Sequence, residues 1–78
     1  MTDRAIEKIR EQVGLTPAHM VYVIEVLSIR FERFSDDLTR LLESFQNLQM
    51  LTLNDCGIKS LNGFPLLPGL IRLDLVFN

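Results

Sequence analysis

Seventy-eight residues, 47% of them hydrophobic, are enough for one small domain with a packed core, which excludes wholesale disorder. A formal net charge of −2, with eight Lys and Arg dispersed among ten acids, argues against a nucleic-acid binder that works by neutralising phosphates. No apolar run approaches the roughly 18 residues of a bilayer span, and the N-terminus lacks the apolar core of a secretory signal. The single cysteine, Cys56, rules out an internal disulfide and fits a reducing compartment. The expectation is a soluble intracellular protein.

In chain order, the spacing predicts an amphipathic helix over 3–13. Ile6, Ile9 and Val13 share one face with Ala5 beside them, while Arg4, Glu7, Lys8 and Glu11 face water. Thr2 or Asp3 can cap its start, and Gly14 can take the left-handed conformation that ends it. Thr16-Pro17 then restarts the chain, with Thr as cap and Pro at the first helical position of a short turn. Residues 20–31 are rich in Val and Ile and read as a strand. Two frames fit it: Ile24-x-x-Leu27-x-Ile29, which is preferred, and Val21-x-x-Ile24-x-Val26. Leu38, Leu41, Leu42 and Phe45 recur at helical spacing behind a cap at Ser35 or Asp36, so residues 36–47 are a return helix. Leu48–Asp55 is a second strand. Asn62-Gly63, Pro65, Pro68 and Gly69 make the next return a series of turns, and Leu70–Phe77 is a third strand.

One regularity orders these elements. Leu48-x-x-Leu51-x-Leu53-x-x-Cys56 recurs as Leu70-x-x-Leu73-x-Leu75-x-x-Asn78, each position 22 residues later. The pattern resembles a leucine-rich repeat, L-x-x-L-x-L-x-x-N/C-x-L. That resemblance implies an α/β solenoid with an N-terminal capping helix and a short parallel sheet on its concave face, truncated without a C-terminal cap. The chain then divides into a cap (1–15), a degenerate first repeat (16–47), a second repeat (48–69) and the start of a third (70–78). Leu51, Leu53, Leu73 and Leu75 point inward with Leu48 and Leu70, and Ile58, Leu61 and Phe64 fill the core behind them. Cys56 and Asn78 are structural ladder residues, an amide or a small thiol satisfying backbone groups where the chain leaves a strand. Met50, Thr52, Asn54, Arg72, Asp74 and Val76 face outward by period-2 geometry and are the candidate protein-binding surface. Leu73, Leu75 and Phe77 on the uncapped last strand predict self-association through an open edge.

Catalytic chemistry is not expected. His19 has no second His or Cys near it for a metal, Cys56 has no base at hand, and the glycines follow no phosphate-loop spacing. No cofactor is expected.

A narrower resemblance rests on Thr16-Pro17 behind a helix, Leu38-x-x-Leu41-x-x-x-Phe45-x-x-Leu48, and LTLNDCGIKSL (51–61) followed by Phe64-Pro65. Together these resemble the acidic leucine-rich nuclear phosphoprotein family. The resemblance implies protein partners of phosphatase or histone type, phosphatase inhibition, chromatin regulation, and a nuclear and cytoplasmic location, without direct nucleic-acid or membrane contact. Asn62-Gly63-Phe64-Pro65-Leu66-Leu67 is similar to a segment of the spliceosomal leucine-rich A-prime subunit, the alternative reading. A truncated remnant with only self-association is the third.

Overall fold

A computed structural model describes residues 3–78. The elements are α1 (Arg4–Val13), a 3-10 turn (Ala18–Met20), β1 (Val23–Leu27), α2 (Asp36–Glu43), β2 (Met50–Asn54) and β3 (Arg72–Asp74). The three strands form one parallel sheet in the order β1-β2-β3.

Local chemistry sets the helix ends. The Asp3 carboxylate accepts from the Ile6 amide at 3.1 Å, and the Ser35 hydroxyl does the same for Leu38 at 3.2 Å. Gly14, at φ 56°, takes the positive φ that stops α1, and its amide donates to the Arg10 carbonyl at 2.9 Å. Pro17 itself stands at the N-cap of the 3-10 turn without a side-chain cap, so the expected Thr16 cap with Pro17 inside the turn is corrected. A prolyl φ of −58° with ψ 142° is extended, which delays the turn by one residue.

The core lies on one face of the β1–β2 pair. Ile24 and Val26 stand beside Leu51 and Leu53, and all four are essentially sealed from water. Ala5 and Ile9 of α1 cover this layer, together with Leu38 and Leu42 of α2, Phe45, Leu48 and Cys56. Phe34 closes one end, edge-on to Phe31 and Phe64 at ring-centroid distances of 5.4 and 5.3 Å.

The register overturns the preferred frame for the first strand. Ile24 pairs with Leu51 and Val26 with Leu53, a step of 27 residues, so the Val21-x-x-Ile24-x-Val26 frame is the true one. Leu27 is half exposed as a result, and Glu25 is kept in water. The step from β1 to β2 is thus five residues longer than the 22-residue step from β2 to β3. In the connection to α2, the Phe31 amide donates to the Cys56 carbonyl and the Lys59 amide to the Glu32 carbonyl, joining this segment to the turn after β2.

The fold expectation is also corrected. The described residues make a compact unit of 29 × 27 × 20 Å, with two α-helices and a three-stranded sheet, and no solenoid is indicated. Its two strand-to-strand connections are unlike: the first carries α2, the second is built of turns alone. β3 spans only three residues, and Leu61, placed in the core by its spacing, is exposed.

The free edge of β1 is closed by one side chain. The Gln12 amide nitrogen donates to the Glu25 carbonyl at 2.6 Å, and its oxygen accepts from the Glu25 amide at 2.8 Å. A primary amide carries donor and acceptor side by side, so it substitutes for a neighbouring strand's peptide. This links α1 to the sheet edge, where unpaired backbone would invite another chain.

The register yields a direct test. Ile24→Ala should cost about 2–5 kcal/mol in urea denaturation, because it removes a sealed core side chain. Leu27→Ala should stay within about 0.5 kcal/mol, as surface substitutions do. The reverse order would restore the discarded frame.

Candidate functional site: the open face of the sheet

Opposite the core, the sheet presents its other face without a covering layer among the described residues. Alternation along the strands puts Val23, Glu25 and Leu27 of β1 there, Met50, Thr52 and Asn54 of β2, and Arg72 and Asp74 of β3. Parallel pairing arranges them in rows: Val23–Met50–Arg72, Glu25–Thr52–Asp74, then Leu27–Asn54. Val76 continues the last row, its amide donating to the Asn54 side-chain oxygen at 2.8 Å. The six outward positions expected from β2, β3 and the exit of β3 are thus brought together.

Three contributors were missed. Val23, Glu25 and Leu27 belong to this face but were hidden by the wrong frame for β1. The available signal was Glu25 itself: a charge between Ile24 and Val26 cannot be buried cheaply, so its neighbours must point inward.

The face combines apolar and acidic surface. Val23, Leu27 and Val76 are each about half exposed, at 48%, 50% and 48%. Glu25 and Asp74 supply carboxylates; Arg72 Nε lies 3.2 Å from Asp74 Oδ2, and Lys8 of α1 lines a cleft with Val23, Glu25 and Leu27. Asp55 stands at the exit of β2, where its Oδ2 accepts from the Ser28 hydroxyl at 2.8 Å.

All three strands leave the sheet through the same backbone kink. Ser28, Asp55 and Phe77 have φ of 58°, 57° and 63°, at steps matching the offsets between the strands. Positive φ costs an ordinary L-residue about 1–2 kcal/mol, so these turns persist because hydrogen bonds over-determine them. Asn78 supplies several. Its Oδ1 accepts from the amides of Cys56 at 3.0 Å and Ile58 at 3.1 Å, and its Nδ2 donates to the Leu53 carbonyl at 2.6 Å. Cys56, fully buried, directs its Sγ to the Val26 and Asn54 carbonyls, each at 3.4 Å. Burial pushes its thiol above the ordinary range, against a smaller downward pull from a backbone hydrogen bond at Ile29 and a further upward push from Asp55. A buried, neutral thiol packed on carbonyls is a structural group rather than a nucleophile.

Of Leu73, Leu75 and Phe77, expected to form an association edge, Leu73 stands in β3 and the other two follow it, with Leu75 packed against the core. Leu73 and Phe77 are exposed and Leu75 is half-buried. Among the described residues no strand pairs with the outer side of β3. No group of three or more His, Cys, Asp or Glu side chains that could hold a metal occurs among the described residues, and His19 sits exposed within the 3-10 turn. No helix among the described residues is long and apolar enough to cross a membrane.

Comparison with known proteins now bears on this arrangement. No family model matches the chain, and no solved structure matches it. The chain is 51% identical over 75 residues to a protein of Tetrahymena thermophila named as a histone, variant Y of the 2A class. The match covers 96% of this chain and 19% of that protein, so the chain spans about a fifth of its relative's length. This finding corrects the resemblance to the acidic leucine-rich nuclear phosphoproteins and to the spliceosomal A-prime subunit, since the relative found is named for neither. It removes with them the reading as a leucine-rich phosphatase inhibitor. The short motifs that carried those readings reflect strand spacing and turn chemistry, which unrelated chains share.

Asn78→Ala should lower stability by about 0.5–1.5 kcal/mol, because two backbone amides and a carbonyl lose their partner. Hydrogen exchange should accelerate at the Cys56 and Ile58 amides first. Unchanged protection there would mean that the Asn78 amide does not hold the turn.

Proposed function

We propose that this chain is a non-enzymatic protein-interaction segment of a chromatin component, acting in the nucleus through the open face of its sheet. The observation that carries the reading is the 51% identity to a variant histone across nearly the whole chain. The partners are proteins of the nucleosome. Direct contact with DNA, set aside from the net charge alone, is reinstated: a net charge of −2 describes the sum over the chain and not each part of its surface.

The chemistry of the face supports a basic partner. The carboxylates of Glu25 and Asp74, interleaved with half-exposed Val and Leu, favour a segment carrying Lys or Arg beside apolar groups. Histone chains offer that composition. Sedimentation with reconstituted mononucleosomes tests the reading. The wild-type chain should co-sediment, and Glu25→Lys with Asp74→Lys should weaken the association at least tenfold, about 1.4 kcal/mol. Absence of the wild-type chain from both mononucleosome and histone-octamer fractions would overturn it.

The outer side of β3 is proposed to pair with a second copy through Leu73, Leu75 and Phe77, because the strand lacks a neighbour there among the described residues and carries apolar side chains. Sedimentation equilibrium at increasing concentration should give a rising mean mass that Leu73→Lys abolishes. A constant monomer mass rules the pairing out.

A further inference from the structure

Away from the sheet face, the segment after β1 and the turn after β2 build a cleft of about 470 Å³ lined by Arg30, Phe31, Glu32, Arg33, Lys59 and Ser60. We infer that this cleft is a phosphate site, and that its ligand is the phosphodiester backbone of duplex DNA.

Three cations converge on it, against one carboxylate. Glu32 Oε1 is shared between Lys59 Nζ at 3.8 Å and Arg30 Nη2 at 4.0 Å, both long contacts made by well-exposed side chains. Exposed pairs of this kind are weak, so the carboxylate is readily displaced by a stronger anion. Arg33 has no carboxylate within ion-pair distance among the described residues. The local balance is therefore +2, inside a chain whose net charge is −2.

The cations are held in place by the backbone beneath them. The Phe31 amide donates to the Cys56 carbonyl at 3.1 Å and the Lys59 amide to the Glu32 carbonyl at 2.8 Å, so the two segments are joined. Glu32 turns at φ 58°, which brings Arg30 and Arg33 to the same cleft. Gly57 clears space for the Arg30 guanidinium: a Cβ there would come within 3.0 Å of it. Phe31, packed edge-on to Phe34, forms the floor, and Ser60 adds a hydroxyl. Two guanidiniums, an ammonium and a hydroxyl on a fixed floor suit phosphate oxygens, with Arg matching their geometry in pairs. A duplex presents such oxygens in a continuous row, and a shallow cleft open to solvent admits a helical backbone.

This inference rests on the chromatin reading above, and the sites have separable tests: DNA-free histone octamers probe the acidic sheet face, and naked DNA probes the cleft. Fluorescence anisotropy with a labelled duplex of about 20 base pairs should give an affinity that falls about 10- to 40-fold between about 50 and 200 mM salt. Arg30→Ala with Arg33→Ala should weaken binding at least tenfold and reduce the salt slope by about two. Arg10→Ala with Arg40→Ala removes the same charge from a different cleft between α1 and α2 and should leave binding nearly unchanged. Glu32→Gln should tighten binding, which a loss of folding cannot imitate. The inference is overturned by absence of binding at low salt, by equal losses in the two double variants, by weaker binding of Glu32→Gln, or by tighter binding of a phosphoserine peptide than of the duplex.

Discussion

The structure depends on the pairing of β1 with β2 in the register that sets Ile24 beside Leu51 and Val26 beside Leu53. These four side chains make the layer on which α1 and α2 rest. The same alternation decides what the opposite face presents. A slip of one residue in β1 would bury Glu25 and expose Ile24 and Val26, exchanging a sealed core for an uncompensated buried charge. The candidate binding surface is therefore a consequence of core packing.

Both ends of the sheet are managed by amides, in different ways. At β1, the Gln12 side chain supplies the donor and acceptor that a further strand would otherwise provide. At the strand exits, Asn78 gathers the amides of Cys56 and Ile58 and the carbonyl of Leu53, while Cys56 fills the adjoining buried space. Backbone groups forced out of ladder geometry by the turns at Ser28, Asp55 and Phe77 are satisfied locally. β3 has no comparable closure among the described residues, and its Leu73 is exposed where its neighbour Leu51 in β2 is sealed.

Charge on this small domain is segregated. The open sheet face carries carboxylates among aliphatic groups, while the cleft beyond β1 carries Arg30, Arg33 and Lys59 around one shared glutamate. A partner containing both basic protein and polyanion can engage the two regions without conflict between them. The chromatin partner proposed above is of that kind.

The sequence by itself determined α1 and α2 to within a few residues, because apolar spacing and the caps at Asp3 and Ser35 are local signals. It also determined the offset between β2 and β3, since a 22-residue recurrence is visible without a structure, and it located six of the outward residues. Only the tertiary structure decided the frame of β1, and with it Val23, Glu25 and Leu27. Strand frame depends on what a neighbouring strand buries, and two overlapping apolar patterns in residues 20–31 are equivalent until that neighbour is in place. Tertiary structure also decided that the chain forms a compact unit with unlike connections, and that Arg30, Arg33 and Lys59 meet. Residues far apart in the chain share a cleft because backbone hydrogen bonds join two loops, and no periodicity in the chain encodes that encounter.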